Sequence, residues 1–352
     1  MWGSTPHMAT KSDNEMKQTI RHRRIILLLT AGLLTGCTDS DDGNKVRPPV
    51  AEININAINI GSNATRASVV NDDAGLKTLD LHVDAYYHDT TTPYFSNKKV
   101  HFNAPAWGFV DGSGNAEHYY WPIVGSVPTS MATSSLDFVA YAPYDLTGTG
   151  VSGLTYNVSN GLSFSCALPA DQTALKEFLY AHKLSQTSES NSGSVDLVFQ
   201  HPFAKIAILV KPSHREIYRL NTIKFKNVKN QGTFTHGNSP KWATSGENTD
   251  LTITLNQAVS EDADFTTDQV TAMHLPFIVI PQTYTAAGQI EVKLTWGSGD
   301  AEQTYTFNNP VSEWESGKSY TYTLDLLGKI EFSVTIASWS AEGADRTLRF
   351  YY

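Results

Sequence analysis

The sequence predicts an all-β fold made of two β-sandwich domains in tandem. Thr, Ser, Val, Ile, Tyr and Phe are abundant, Gly and Asn are frequent, and segments with helical periodicity are almost absent, which favours strands over helices. The chain has 352 residues, more than one domain usually contains. Turn signals separate the short alternating segments into roughly seven or eight strands in each half, the strand number typical of a β-sandwich.

Alternation of apolar and polar residues places the strands of the first half. Residues 79–86 alternate most regularly and predict a strand with one buried face. Residues 111–115 contain Asp-Gly and Gly-Asn, which favour a hairpin turn over an incomplete calcium loop. The other candidate strands of this half are residues 99–102, 107–110, 116–121, 136–144, 154–158 and 162–168.

A Ser-rich segment at residues 185–194 divides the chain. Such a composition is typical of a linker, so we predict an N-terminal domain at residues 51–188 and a C-terminal domain at residues 189–352. Residues 346–352 alternate and predict a strand at the extreme C terminus. The other candidate strands of the second half are residues 195–199, 203–210, 220–225, 250–255, 274–280, 289–296, 302–307, 319–326 and 329–336.

The N-terminal region has the order of a bacterial export signal. A basic run at residues 21–24 precedes an apolar segment at residues 25–34, and Leu-Thr-Gly-Cys ends the segment at Cys37. The apolar segment is shorter than the roughly 20 residues of a membrane-spanning helix. Residues 16–36 are therefore predicted to be a secretory signal peptide.

The role of Cys37 distinguishes a lipid-anchored protein from one that is exported without an anchor. Leu-Thr-Gly-Cys resembles the lipobox of bacterial lipoproteins, which implies that Cys37 becomes the first mature residue and carries acyl chains, palmitate among them, that anchor it in the outer membrane. The acidic residues behind Cys37 resemble surface-export signals. The alternative is a simple signal peptide in which Cys37 is incidental. Residues 1–15 are interpreted as a leader or an over-extended start, and residues 37–50 as a flexible tether.

Charge and motifs exclude several classes of function. The formal net charge is −9 at pH 7, and no basic cluster follows Cys37, so nucleic acid is not expected as a partner. The sequence contains no His-x-x-x-His or Cys-x-x-Cys spacing, no Gly-x-Ser-x-Gly elbow and no phosphate-binding Gly loop. We therefore expect no metal, no cofactor and no enzymatic activity. The sequence does not exclude a pair of carboxylates for glycoside hydrolysis, because such a pair meets only in the folded structure.

Cys166 and His201 are assigned structural roles. Acylation of Cys37 would leave Cys166 without a disulfide partner, and its alternating segment predicts a buried thiol rather than a nucleophile. His201 precedes a proline, and we expect it to be a hydrogen-bonded structural residue. Trp and Tyr residues at alternating strand positions are expected in the core, with a sugar-binding surface as the alternative.

The first strand is predicted just after the tether. Ile53, Ile55 and Ala57 alternate with Asn54 and Asn56, as expected for a strand with one buried face. The apolar phase then shifts at Ile58 and Ile60, which predicts a bulge or a strand end. The polar loop that follows contains the isolated Arg66 and is an accessible target for a protease.

Aromatic residues at fixed spacing connect the chain to a known family. The segments concerned are Tyr119-Tyr120-Trp121-Pro122, Phe138-Val139-Ala140-Tyr141-Ala142-Pro143, Gln200-His201-Pro202-Phe203-Ala204-Lys205, residues 276–282, Trp314-Glu315-Ser316-Gly317-Lys318 and Trp339. Together they resemble the fimbrillin family, whose members build type V pili, over essentially the whole mature chain. The resemblance implies two transthyretin-like β-sandwich domains, a lipoprotein precursor and maturation by proteolysis.

The resemblance also implies how such a subunit assembles. An Arg-specific protease would cut between Arg66 and Ala67 and remove the first strand, which contains Ile53, Ile55, Ile58 and Ile60. A strand from the C-terminal tail of the next subunit would fill the vacated groove by strand addition. Because that contact is head-to-tail, it would propagate into a fibre. The donor-strand residues are expected among Phe332, Val334, Ile336, Leu348 and Phe350.

Two functions follow as expectations. The first is a structural or adhesive pilus subunit on the cell surface, with other subunits, an Arg-specific protease, the outer membrane and a host or glycan receptor as partners. The second is a monomeric surface lipoprotein that binds glycans or host ligands, in which Arg66 is an ordinary exposed residue and the first strand is permanent. The choice between them rests on analogy at the level of the fold.

Overall fold

The computed structural model describes eleven ranges of the chain. These ranges are residues 51–59, 73–123, 135–172, 174–211, 217–259, 271–272, 277–283, 289–297, 301–326, 330–339 and 346–351. For residues 346–351 only the backbone is described. Nearly all regular structure within these ranges is β-strand, so the predicted all-β class is confirmed.

The bounds of the elements follow in chain order. They are β1 (Asn54–Asn59), α1 (Asp73–Leu76), β2 (Leu81–Tyr87), β3 (Pro93–Asn103), β4 (Ala106–Val110), β5 (Ala116–Glu117), β6 (Leu136–Ala142), β7 (Val151–Asn157), β8 (Gly161–Ala167), β9 (Leu179–Gln186), a 3₁₀ helix (Ser190–Gly193), β10 (Ser194–Phe199), β11 (Ala204–Lys211), β12 (Ile217–Val228), β13 (Gln231–Thr235), β14 (Lys241–Ser245), β15 (Thr249–Ala258), β16 (Thr271–Ala272), β17 (Phe277–Val279), β18 (Gln282–Thr283), β19 (Gln289–Trp296), β20 (Glu302–Asn308), β21 (Glu313–Trp314), β22 (Lys318–Asp325), β23 (Glu331–Ser338) and β24 (Arg346–Tyr351).

A six-stranded antiparallel sheet forms the first half of the molecule, with the strand order β5-β4-β3-β2-β6-β9. One face of this sheet packs against the β1–β10 pair in a single apolar core. The strongest alternation in the sequence produces the inward row of β2, where Leu81, Val83 and Ala85 are buried. This first core also contains Phe138 and Trp121.

A second, four-stranded sheet packs beside the first and mixes residues from both halves of the chain. Its order is β14-β13-β8-β7, so the β13–β14 hairpin completes a sheet that the β7–β8 hairpin begins. Phe164 on β8 lies opposite Phe234 on β13, and their rings stack with centroids 4.9 Å apart. Both pack with Phe178 and Tyr180 in a further apolar cluster.

The second half contains its own sandwich core. One sheet has the order β16-β11-β22-β23-β24, with β17 also paired to β11, and the other has the order β15-β12-β19-β20. The strands β11 and β22 run parallel, while β22, β23 and β24 follow each other antiparallel. Ile206, Ile208, Tyr320 and Tyr322 are among the buried residues of this second core.

The predicted domain boundary between residues 188 and 189 does not separate the packing units. Val195, Leu197 and Phe199 on β10 follow that boundary, yet they belong to the first core because β10 pairs with β1. The β13–β14 hairpin crosses it in the same direction by pairing with β8. Residues on both sides of the predicted boundary therefore share the first core and the four-stranded sheet, and the division into two tandem sandwich domains stays a prediction.

Three local expectations agree with the structure. The turn after β4 is a hairpin turn in which the Asp111 carboxylate accepts backbone N–H groups from Ser113 and Asn115, both at 2.8 Å. Cys166 is buried, and burial raises the pKa of its thiol to about 12, as expected for an unreactive structural residue. His201 is buried and hydrogen-bonded, as described below.

Candidate functional site

β1 lies in a slot between β10 and an irregular segment at residues 119–121. It pairs in parallel with β10 over all six of its residues. On the opposite side, the chain just before β1 makes two backbone hydrogen bonds. The Ile53 N–H donates to the Tyr119 carbonyl at 2.8 Å, and the Trp121 N–H donates to the Ala51 carbonyl at 2.9 Å. We call this slot the β1 groove.

The side chains in the groove form one buried and one exposed row. Ile53, Ile55 and Ala57 are 1, 6 and 5% exposed, and all three belong to the first core. Ile58 is 36% exposed. The inward row is the predicted one of Ile53, Ile55 and Ala57. The expected shift of phase at Ile58 is wrong, because Ile58 continues the exposed row and β1 stays in register with β10 as far as Asn59.

The floor and wall of the groove are apolar. Val195, Leu197 and Phe199 on β10 are buried beside β1. The indole of Trp121 is also buried; its Nε1–H donates to the Gly193 carbonyl at 3.2 Å. These groups are buried while β1 is present, so removal of β1 would expose a continuous apolar strip together with the β10 backbone.

Polar contacts at the rim of the groove are exposed, and they hold β1 less strongly than its apolar row and its backbone pairing do. The Asn56 side-chain amide donates to Asp196 Oδ1 at 2.9 Å. The His118 Nδ1 lies 2.6 Å from Glu52 Oε1, with both side chains largely exposed. Exposed ion pairs of this kind contribute about 0 to 1 kcal/mol. The apolar row and the backbone pairing therefore account for most of the hold on β1.

Several predicted site residues lie outside the described ranges. They are the acylation site Cys37, the strand residue Ile60 and the two residues of the expected cleavage site, Arg66 and Ala67. Their roles stay predictions. The described chain stops at Asn59 and resumes at Asp73, so the expected cleavage site falls in the connection that joins β1 to α1.

The two C-terminal strands differ in how deeply they are built into the molecule. β23 lies between β22 and β24, and its residues Phe332, Val334 and Ile336 are buried in the second core. β24 lies at the edge of the sheet and has β23 as its paired strand in the part of the chain that the structure describes. The backbone register places Leu348 opposite Val334 and Phe350 opposite Phe332. The candidate donor residues therefore divide between an internal and an edge strand.

A buried polar cluster that the sequence did not predict lies between the segment after β10 and the residue that follows β23. His201 Nδ1 lies 2.5 Å from Glu177 Oε1, with both side chains almost completely buried. The imidazole of His201 stacks on Trp339 with centroids 4.1 Å apart and an angle of 8° between the planes. The Lys205 Nζ lies 5.2 Å from the Trp339 ring. We call Glu177, His201, Lys205 and Trp339 the junction cluster.

The electrostatics of the junction cluster follow from its burial. Burial lowers the pKa of Lys205, and the Glu177 carboxylate opposes this shift. Charged groups that leave water need close partners, and the His201 pairing with Glu177 satisfies this requirement. His201, Lys205 and Trp339 all belong to the segments that carry the family resemblance, so this pattern was the available signal. Nothing in the sequence around Glu177 indicates its role.

A second buried polar network lies between the first sheet and the four-stranded sheet. The Asp137 carboxylate lies 2.7 Å from His88 Nδ1 and accepts hydrogen bonds from the Ser185 N–H at 2.8 Å and the Tyr156 hydroxyl at 3.2 Å. Nearby, burial lowers the pKa of His182 to about 4. This network holds strands together, and none of its groups borders the β1 groove.

Two classes of site receive no support from the described residues. Within these ranges, no group of three or more His, Cys, Asp or Glu side chains is placed to hold a metal ion. In the same ranges, no helix has the length and apolar character needed to cross a membrane.

Comparison with known proteins identifies the family. The family model described as fimbrillin-like matches residues 65–339. No curated protein matches the chain. Among solved structures, a fimbrial protein from Bacteroides vulgatus superposes with a TM-score of 0.53 at 15% identity, covering 82% of this chain and 99% of that one.

Two further structures agree in fold. A putative cell adhesion protein from Bacteroides uniformis has a TM-score of 0.51 at 18% identity, covering 82% of this chain and 99% of its own. One from Bacteroides ovatus has a TM-score of 0.50 at 17% identity, covering 84% and 99%. At these identities the likeness concerns the fold. Both β1 and β24 lie outside the residues that the family model matches.

Proposed function

This chain belongs to the fimbrillin-like family, and from this premise we propose that it is a structural or adhesive subunit of a type V cell-surface pilus. In this proposal it is exported as a lipoprotein acylated at Cys37 and reaches the outer face of the outer membrane. An Arg-specific protease then cuts between Arg66 and Ala67. Subunits join when the C-terminal strand of one fills the β1 groove of another.

The observation that carries this proposal is the placement of β1. Its backbone is paired along its full length with β10, while the opposite side is held by backbone hydrogen bonds at residues 51–53. A cut between residues 59 and 73 would therefore leave β1 attached to the domain by non-covalent contacts alone. A strand held in this way can be exchanged for another strand of similar shape.

The energetic argument favours a replacement strand over an empty groove. Burial of the two inward isoleucines, Ile53 and Ile55, contributes roughly 3 to 6 kcal/mol, at about 1.5 to 3 kcal/mol for each side chain. In the open groove the β10 backbone groups are hydrated, and each hydrogen bond to a new strand contributes about 0.5 to 1.5 kcal/mol net. An opened groove therefore binds a donor strand strongly, and an alternating segment with apolar residues at every second position fits it.

β24 is the better candidate for the donor strand. β23 pairs on both sides and buries Phe332, Val334 and Ile336 in the second core, so its departure would destroy that core. β24 is an edge strand at the end of the chain, so its departure breaks one line of pairing. Leu348 and Phe350 alternate with polar residues in its sequence and would supply the apolar row in the groove of the next subunit.

Controlled proteolysis tests this proposal. The chain is produced from residue 38 onward with Arg346→Lys and Arg349→Lys, so that an Arg-specific protease cannot remove β24. Arg215→Lys prevents a cut between β11 and β12. After digestion we expect loss of the segment before Ala67 and a ladder of SDS-resistant oligomers. The matched variant that also carries Arg66→Ala should stay monomeric under the same digestion. A cleaved chain that remains monomeric at high concentration would contradict the proposal.

A further inference from the structure

The junction cluster stands at the point where the chain leaving β10 meets the chain leading to β24. β10 ends at Phe199, and His201 follows two residues later. β23 ends at Ser338, and Trp339 is the next residue. The rings of His201 and Trp339 stack with centroids 4.1 Å apart. This contact therefore links the segment after β10, the strand that pairs with β1, to the residue at which the chain leaves β23 towards β24.

Backbone hydrogen bonds reinforce this contact. The Trp339 N–H donates to the Gly317 carbonyl at 2.7 Å, and the Gly317 N–H donates to the Phe203 carbonyl at 2.8 Å. Trp339 thus contacts the segment after β10 directly through its ring and is linked to it indirectly through the Gly317 backbone. A displacement of that segment cannot leave Trp339 where it is, because close-packed groups move together.

The stack also contains buried polar atoms whose hydrogen-bonding capacity is unused. His201 Nε2 and Trp339 Nε1 are buried and have no hydrogen-bond partner among the described residues. Such atoms raise the free energy of the arrangement that contains them, and they are often a store of strain. A second arrangement of Trp339, in which these atoms reach a partner or solvent, would release that free energy.

We propose that the His201–Trp339 stack is a latch that makes the release of β24 depend on the state of the β1 groove. While β1 is paired with β10, the segment after β10 holds His201 against Trp339, and β24 stays on β23. When β1 leaves, β10 loses its partner, His201 shifts, and the stack opens. The base of the C-terminal strand is then free to move, and β24 detaches.

This inference rests on the proposed function for its biological meaning. A subunit whose own groove is still closed would keep its donor strand, so it could neither accept nor donate. Processing would then activate both ends of the subunit together. The latch residues position the donor strand and do not contact the strand that it meets in the next subunit.

Hydrogen exchange on the uncleaved monomer tests the latch. The Arg66→Ala chain is measured at a concentration where it does not assemble, and amides of β22 report global unfolding. Ile55→Ala, which weakens β1, should speed exchange in β24 by about tenfold relative to β22. His201→Gln should produce the same increase by itself, because Gln can still bond to Glu177 but cannot stack. Trp339→Phe keeps a ring on His201 and should leave β24 protected.

A double-mutant cycle separates coupling from simple destabilisation. When His201→Gln is already present, adding Ile55→Ala should change β24 exchange by less than about twofold. The matched control is His82→Gln, because His82 is also buried, lies 3.0 Å from Asp84 and stacks on Tyr141 at 4.2 Å. In that background the full effect of Ile55→Ala should persist. Equal effects of Ile55→Ala in all three backgrounds would overturn the latch.

The outcome is independent of assembly. If cleaved chains fail to form oligomers but the cycle shows coupling, the proposed function is wrong and the latch stands. If oligomers form and Ile55→Ala leaves the hydrogen-exchange rate of the β24 amides unchanged, the latch is wrong and the proposed function stands. Trp339→Leu provides a second test of the stack if His201→Gln does not fold, with the same expected loss of protection in β24.

Discussion

At the scale of single residues, the inward row of β1 determines how firmly the strand is held. Ile55 packs in the first core, whereas Ile58, three residues further along the same strand, faces outward. The two positions are chemically identical and differ in burial. They therefore offer a direct measure of how much the groove contributes to stability.

We expect Ile55→Ala to lower the free energy of unfolding by about 2 to 5 kcal/mol, since it leaves a cavity in a packed core. Ile58→Ala should change it by less than about 0.5 kcal/mol, because the side chain is exposed. Denaturant unfolding of the uncleaved chain measures both values. Equal effects of the two substitutions would show that the alternation assigned to β1 is wrong.

His182 gives the molecule a pH dependence with a definite sign. Burial lowers its pKa from 6.5 to about 4, so between these values the unfolded chain binds more protons than the folded chain. The unfolding free energy should therefore fall as the pH falls from about 6.5 towards 4. His182→Gln should flatten the profile in this window, as measured by denaturant unfolding at several pH values. The exposed His101→Gln serves as the control, and an unchanged slope in His182→Gln would contradict the assignment.

At the scale of elements, the two C-terminal strands should behave as separate units. β24 is paired on one side and β23 on both. Amides of β24 should therefore exchange through local opening, well before those of β22 and β23, which require global unfolding. Deletion of residues 346–352 should leave a folded monomer, whereas Ile336→Ala on β23 should cost about 2 to 5 kcal/mol. Exchange of β23 and β24 at one common rate would argue against a detachable edge strand.

The elements also show where sequence reasoning succeeds and where it does not. β2 and β11 were predictable because long regular alternation and a buried face coincide. The β13–β14 hairpin was not, since its strands are short and Gly232 occupies one of its two buried positions. Its pairing with β8 depends on residues more than sixty positions away in the chain, and local pattern carries no information about such a partner.

The candidate site was predictable to the same extent. The first strand and the terminal strand follow from alternation, and the family resemblance predicted a role in assembly for both. The inward row of Ile53, Ile55 and Ala57 follows from its alternation with Asn54 and Asn56, whereas the outward position of Ile58 does not follow from its apolar character. The junction cluster could not be assembled from sequence, since Glu177, His201 and Trp339 meet only through the packing of distant segments.

At the scale of the whole molecule, both ends of the described chain are strands that pair at the margin of a sandwich. β1 contributes to the first core, and β24 extends the sheet that contains β11, β22 and β23. In the proposed function, one end is removed and the other is donated, so each subunit has one acceptor and one donor. Such a head-to-tail arrangement grows into a filament when the rotation between successive subunits does not close a ring.

The most direct test of this account is a mixing experiment with two one-sided chains. The acceptor is a cleaved chain that lacks residues 346–352. The donor is an Arg66→Ala, His201→Gln chain with its C terminus intact, in which the groove stays closed while the latch is open. We expect a one-to-one, SDS-resistant complex that does not grow further, seen by size-exclusion chromatography with light scattering. The absence of a complex, or a complex that forms equally well with a donor lacking residues 346–352, would contradict exchange of β1 for β24.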